Sequence, residues 1–105
     1  MDLRGKKLGL LVSCGPEAAN FTHAMGLAEA ALRRGAGVYL YCLDDAVTGL
    51  QDERLQALRR GGARVFACAL AAQRRQIAFD DSAAFSGLGM VHEIMALTDR
   101  FLSLN

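Results

Sequence analysis

The sequence lacks the cysteine pattern of a disulfide-stabilised or zinc-binding domain. Its three cysteines, Cys14, Cys42 and Cys68, are an odd number, and none pairs with another as C-x-x-C. A disulfide framework and a zinc site with local ligand spacing are therefore both disfavoured. The two histidines, His23 and His92, have no partner at metal-ligand spacing. We expect no metal and no cofactor, and any cysteine that acts must act as a free thiol.

The chain also lacks a strong excess of charge of either sign. Its formal net charge is +1, and its acidic and basic residues are interspersed, so no basic stripe is available to neutralise nucleic-acid phosphates. The first residues are charged and lead into only a short apolar run, which resembles neither a secretory signal nor a membrane anchor. We therefore expect a cytoplasmic protein that binds neither nucleic acid directly nor a membrane.

The apolar content of the chain is that of one globular domain. Of its 105 residues, 52% are hydrophobic, and no linker, low-complexity tract or repeat divides them, so we expect a single domain over residues 1–105. Short apolar runs alternate with longer segments of helical period. This alternation predicts an α/β fold, a three-layer domain with a mostly parallel sheet of about five strands flanked by helices.

Strands are predicted where a short apolar run is bounded by turn residues. Residues 77–85 show no clear pattern, although Asp80, Asp81 and Ser82 are typical caps of a short helical turn. Residues 86–89, SGLG, predict a tight connection because glycine tolerates unusual backbone angles. The clearest strands are predicted at residues 8–12, 38–43, 63–67 and 100–104.

Helices are predicted between these strands from apolar residues spaced three and four apart. The first should begin near Pro16, which suits a first helical turn. Thr48 and Gln51 have the form of a capping box for the second. The third covers residues 68–75. The last covers residues 90–97, with its buried side formed by Val91, Ile94 and Met95.

Each cysteine falls at or near the carboxyl end of a predicted strand, the edge of a parallel sheet where ligands collect. Free cysteine is also among the most buried residue types, so Cys14 and Cys42 are more simply explained as packing residues. Cys68 differs, because it would begin a helix, where unpaired amides stabilise a thiolate. Arg74 and Arg75 add positive charge. Arg75 is roughly 10 Å along the helix, so it must reach back or come from another subunit.

Aspartates follow the second predicted strand at the same edge of the sheet. Asp44 and Asp45 could bind a partner or act as a base, although aspartates in this position are usually turn residues. We keep Asp44 as a supporting candidate.

Two segments of the chain resemble the DsrE/DsrF-like family, the sulfur-relay proteins of the DsrE and TusD type. Residues 68–75, CALAAQRR, are similar to the family's active-site segment, in which small and apolar residues separate a cysteine from an arginine pair. Residues 86–89, followed by Glu93 and then Asp99 and Arg100 before a terminal strand, are similar to the family's closing signature. The two segments occur in the family's order.

This resemblance implies a function for Cys68. In this family the equivalent cysteine accepts a sulfane sulfur from a donor protein's persulfide and passes it to an acceptor protein, in tRNA thiolation or in oxidation of reduced sulfur. Cys68 is thus the catalytic candidate, and Arg74, Arg75, Cys14 and Asp44 are supporting candidates. Because the family forms trimers and hexamers, the resemblance also implies a homotrimer or homohexamer.

The chain departs from the family in two places, and two other functions stay open. Gln76 stands where relatives commonly have glycine, and the chain before the third strand is shorter than in TusD-like members. A thiol redox sensor or peroxidase-like protein would form a sulfenic acid at Cys68 and a disulfide to Cys14. A non-catalytic structural subunit would carry an inert or buried Cys68. One cysteine suffices for persulfide exchange, which favours the carrier.

Overall fold

The computed structural model describes residues 1–105 and contains five strands and four α-helices. The longest helix has 15 residues, and none has the length and apolar content needed to cross a membrane. The strands are β1 (Lys7–Val12), β2 (Gly37–Cys42), β3 (Arg64–Cys68), β4 (Ala84–Ser86) and β5 (Arg100–Leu104). The helices are α1 (Ala19–Arg33), α2 (Glu53–Arg60), α3 (Ala69–Arg74) and α4 (Gly89–Leu97), and a 3₁₀ helix covers Asp44–Gly49.

The strands form one sheet in the order β4-β3-β2-β1-β5, and every neighbouring pair is parallel. The predicted α/β fold class is confirmed, and the sheet is entirely rather than mostly parallel. The chain moves across the sheet in one direction from β1 to β4 and then returns to the far side of β1 for β5. Right-handed crossovers therefore place α1, α2 and α3 on one face of the sheet and α4 on the other. We call these two faces the α1 face and the α4 face.

Packing around Gly9 agrees with this assignment. A Cβ atom added to Gly9 would lie 2.9 Å from Cγ2 of Ile94 and 3.1 Å from the hydroxyl of Thr98, so this position of β1 faces α4. Successive strand residues point to opposite faces, so Leu10 faces α1. The larger core lies on that side, where Leu10 and Leu40 of the sheet, Phe21 of α1 and Leu55 of α2 are fully buried.

The start of α1 differs from the prediction. The helix begins at Ala19 rather than near Pro16. Pro16 instead lies in a turn that is closed by a 3.0 Å hydrogen bond from the amide of Ala18 to the carbonyl of Gly15. Ala18 then has extended backbone angles, φ −78° and ψ 145°, which a helix cannot pass through. Pro16 thus belongs to the turn before α1 and not to the first turn of the helix.

The predicted capping box at residues 48–51 is wrong. Thr48 lies in the 3₁₀ helix, and its hydroxyl donates to the carbonyl of Asp45 at 2.7 Å. The cap of α2 is Asp52, whose carboxylate accepts the amide of Arg54 at 2.9 Å. Aspartate is as good a cap as threonine, and Asp52 lies directly before the buried leucines of α2.

Two expectations for the last third of the chain are also wrong. Residues 84–86 form β4, so Ser86 belongs to a strand and not to a connection. Three residues are too few to show the alternation by which strands are recognised. Met95 is 52% exposed, whereas Ile94 is buried, because the contacts of α4 with the sheet are concentrated on β1. The predicted last strand, by contrast, coincides with β5.

Candidate functional site at the carboxyl edge of the sheet

Cys68 lies at the junction that the sequence predicted. It is the last residue of β3 and the N-cap of α3, and its Sγ accepts a hydrogen bond from the amide of Ala71 at 3.4 Å. The residue is 6% exposed. The sulfur is therefore held by a backbone donor just below the surface of the isolated chain.

The three cysteines share one edge of the sheet but not one face. Cys42 pairs in register with Ala67, whereas Cys68 pairs with Ser86. Because Ala67 and Cys68 are consecutive strand residues, Cys42 points to the α1 face and Cys68 to the α4 face. Cys42 is fully buried, and burial raises the pKa of its thiol to about 12. Cys42 is thus a packing residue.

Cys14 is half-buried in the loop after β1 and is separated from Cys68 by a whole strand. Since β2 lies between β1 and β3, the backbones of those two strands are roughly 10 Å apart. A disulfide requires Cα atoms within about 7 Å. All three cysteines are free, and β2 lies between the strand that precedes Cys14 and the strand that ends in Cys68.

Two hydroxyl groups lie beside Cys68, one on Tyr41 and one on Ser86, the first residue of the segment that resembles the family's closing signature. The hydroxyl of Tyr41, on β2, donates to the carbonyl oxygens of Ser86 and Gly87 at 3.2 and 3.1 Å. Burial raises the pKa of Tyr41 above its usual value, the Ser86 hydroxyl partly offsets this, and the neighbouring Cys68 raises the pKa further. The Oγ of Ser86 is buried and has no hydrogen-bond partner. Two hydroxyls and the amide of Ala71 are thus polar groups next to the thiol.

The arginine pair divides into one residue that is anchored and one that is not. Arg75 donates from Nη2 to the carboxylate of Asp45 at 2.8 Å and from Nη1 to the carbonyl of Ala71 at 3.2 Å. It therefore ties the end of α3 to the 3₁₀ helix. Arg74 and Asp44 are exposed and form no side-chain hydrogen bond. Of the two aspartates, Asp45 rather than the supporting candidate Asp44 meets the arginine pair.

Gln76 has left-handed backbone angles, with φ of 56°. It follows the C-cap of α3, Arg75, and glycine is the residue most often found just after a helix in this conformation. The departure from the family at this position therefore places a residue with a Cβ where the backbone favours glycine.

A second polar cluster lies beyond the carboxyl ends of β1 and β5. At this point of the sheet the connecting helices switch from the α1 face to the α4 face. Ser13 donates to the Asn105 side chain at 2.7 Å, and Asn20 donates to the Asn105 carbonyl at 2.8 Å. The Nδ1 of His23 lies 3.2 Å from the side-chain oxygen of Asn20. The chain holds no group of three or more His, Cys, Asp or Glu side chains that converge as metal ligands. This cluster is two strands away from Cys68.

Ser86, at the start of the closing signature, is the strand partner of Cys68, whereas the residues of the signature from Glu93 onward lie away from the thiol. Glu93 is exposed on α4, and the carboxylate of Asp99 accepts the backbone amide of Lys7 at 2.8 Å. Arg100 is exposed at the start of β5. Asp99 thus joins the amino-terminal ends of β5 and β1, at the opposite edge of the sheet from Cys68.

Comparison with solved structures identifies the fold. The chain superposes with a TM-score of 0.83 on the structure titled "Crystal structure of ychN protein from E.coli", over 94% of this chain and 99% of that chain. The fold is DsrE-like. The two sequences are 19% identical, so the likeness is one of fold. No family model matches the sequence, and no curated protein matches it.

Within the DsrE-like fold, Tyr41 is a site residue that the sequence did not predict. Tyr39 and Tyr41 are two residues apart on β2, and this spacing indicates that both rings share a face. Ser86 belongs to the segment that resembles the closing signature, but its place beside Cys68 follows only from the pairing of β3 with β4.

Proposed function

We propose that the protein is a sulfur-relay protein that carries sulfane sulfur as a persulfide on Cys68 and passes it between donor and acceptor proteins. The observation that carries this proposal is the position of Cys68 at the carboxyl edge of a DsrE-like sheet, with its sulfur bonded by the amide of Ala71. Neither other cysteine fits the role as well. Cys42 is fully buried on the opposite face, and Cys14 lies in the loop after β1, where it does not cap a helix.

The chemistry needs only one cysteine and no oxidant. The Cys68 thiolate attacks the outer sulfur of the donor's persulfide, a new S–S bond forms at Cys68, and the donor cysteine leaves as a thiolate. An acceptor thiolate then attacks the outer sulfur now held on Cys68 and releases the Cys68 thiolate. A redox cycle through a Cys14–Cys68 disulfide is less well supported, because of the strand that separates them.

The proposal includes assembly into a homotrimer or homohexamer. The contacts of α4 with the sheet are concentrated on β1, and on the same face Tyr39 of β2 and Phe66 of β3 remain half-buried. Leu88, which directly precedes α4, and Met95 of α4 are exposed. An unpaired apolar surface of this kind favours contact between copies of the chain. Sedimentation equilibrium is expected to give three or six times the mass of one chain. A monomer at micromolar concentration would contradict this part of the proposal.

We place the protein in the cytoplasm, in keeping with its free cysteines. The three thiols are unpaired, and a persulfide relay needs a compartment in which thiols stay reduced.

A second candidate, a non-catalytic structural subunit, is favoured by one observation. Cys68 is 6% exposed in the isolated chain, which is little access for a donor protein's persulfide. Under this alternative the thiol packs the junction of β3 and α3 and takes no part in exchange.

Intact-mass measurement after incubation with a persulfide donor separates the two candidates. The wild type is expected to gain about 32 Da per sulfur, and the gain should disappear on treatment with a reductant. Cys68→Ser should abolish the gain. The matched variant, in which Cys14 and Cys42 are both replaced by serine, should retain it. If folded wild-type protein takes up no sulfur at Cys68, the relay function is wrong and the structural subunit takes its place.

A further inference from the structure

Ser86 is the cross-strand neighbour of Cys68. The two residues are Cα partners in the pairing of β3 with β4, so their side chains leave the same face of the sheet. Neighbouring strands lie about 4.8 Å apart, and a hydroxyl on one strand can reach a sulfur on the next by rotation about one side-chain bond.

The Ser86 hydroxyl is the one buried side-chain polar atom of the protein without a hydrogen-bond partner. Buried hydroxyl groups are nearly always bonded, and an exception calls for an explanation. A neutral thiol is a weak acceptor and would hold a neighbouring hydroxyl only loosely. A thiolate is a charged acceptor, and its hydrogen bonds are considerably stronger.

Tyr41 fixes the backbone position of Ser86. The phenol donates to the backbone carbonyls of Ser86 and Gly87, which holds the carboxyl end of β4 against β2 and β3. Its single proton is therefore already used by these two carbonyls. The Ser86 hydroxyl lies near enough to the phenol to lower the pKa of Tyr41, so the phenol oxygen competes with the Cys68 sulfur for its proton, and in the structure the hydroxyl is bonded to neither.

We propose that Ser86 donates a hydrogen bond to the sulfur of Cys68 when that sulfur is charged, either as the thiolate or as the outer sulfur of the persulfide. The persulfide form of this inference rests on the proposed relay function. The outer sulfur lies about 2.05 Å beyond Sγ, within the range that a serine side chain covers by changing rotamer. Ser86 is thus a positioning residue for the reacting sulfur, with Tyr41 as its support.

The test is the pH profile of Cys68 alkylation by iodoacetamide in the folded protein, read for each cysteine by peptide mass. Removal of a donor to the thiolate in Ser86→Ala is expected to raise the midpoint for Cys68 by about one pH unit. Ser86→Thr keeps the hydroxyl and should restore the wild-type midpoint. Ser103→Ala removes an exposed serine near the carboxyl end of β5 and should leave the midpoint unchanged.

The outcomes separate this inference from the relay function. If Ser86→Ala has the wild-type midpoint, or if Ser103→Ala shifts it equally, the inference is overturned even where Cys68 takes up sulfur. A folded wild type in which Cys68 resists alkylation at every pH overturns it as well. If Cys68 takes up no sulfur but its midpoint still shifts in Ser86→Ala, the hydrogen bond to the thiolate stands and only the relay function fails.

Discussion

Ionisation of Cys42 is expected to destabilise the protein at alkaline pH. Cys42 is fully buried, and burial raises the pKa of its thiol from 9.0 to about 12. The folded protein holds this proton more tightly than the unfolded chain does. The contribution of the protonated thiol to the free energy of unfolding is therefore complete below pH 9 and is lost as the pH rises toward 12. At 1.36 kcal/mol per pH unit, the loss amounts to roughly 2 kcal/mol by pH 10.5.

The assay compares the free energy of unfolding of wild type and Cys42→Ala, measured by urea titration with a reductant at pH 7.5 and at pH 10.5. At the lower pH the variant should be less stable by about 1 kcal/mol, since a buried sulfur is lost from the core. At the higher pH the difference should shift in favour of the variant by about 2 kcal/mol. Cys14→Ala controls for the loss of a thiol outside the core. A difference for Cys42→Ala that is the same at both pH values would refute the reasoning.

Two further predictions concern the backbone. Gly9→Ala should lower the free energy of unfolding in urea by about 1–3 kcal/mol, because the new Cβ would lie 2.8 Å from the Phe101 ring and 2.9 Å from Ile94. The control is Gly26→Ala within α1, where the new Cβ would have no atom within 4 Å. This variant should raise the free energy of unfolding by about 0.5–1 kcal/mol. Equal effects of the two substitutions would contradict the packing of α4 on β1. Gln76→Gly should raise the thermal unfolding midpoint above that of Gln76→Ala, since only glycine relieves the left-handed strain; a glycine variant no more stable than the alanine variant would contradict this.

The parts of the fold that could be predicted are those encoded by continuous runs of residues. The strands β1, β2 and β5 are short segments of five or six residues that are mostly apolar, and the leucines of α2 recur at helical spacing. The three-residue β4 is held by its pairing with β3, which no local pattern reveals. The helical spacing of Met95 predicts that it is buried, but the residue is exposed. The spacing shows which residues share a side of α4, whereas the burial of that side depends on the elements that pack against it.

The candidate site likewise has one part that could be predicted from the sequence and one that could not. The position of Cys68 between a strand and a helix follows from the local sequence. Its neighbours do not, because Tyr41 and Ser86 come from two other strands and meet Cys68 only through the register of the sheet. The pairing of Arg75 with Asp45 rather than Asp44 depends on the 3₁₀ helix, which turns only one of two adjacent carboxylates toward α3.

The alternation of Ala67 and Cys68 along β3 makes the chemistry of this protein sensitive to a shift of a single residue. If β3 slid by one position against β2, the cysteine would move to the face where Cys42 already lies, and alanine would replace it beside Ser86. The same shift would turn the buried Val65 out of the larger core and the exposed Arg64 into it. An insertion or deletion within β3 is therefore expected to cost both the position of the thiol and part of the core, whereas changes in the length of the loop after α3 leave the register of β3 intact.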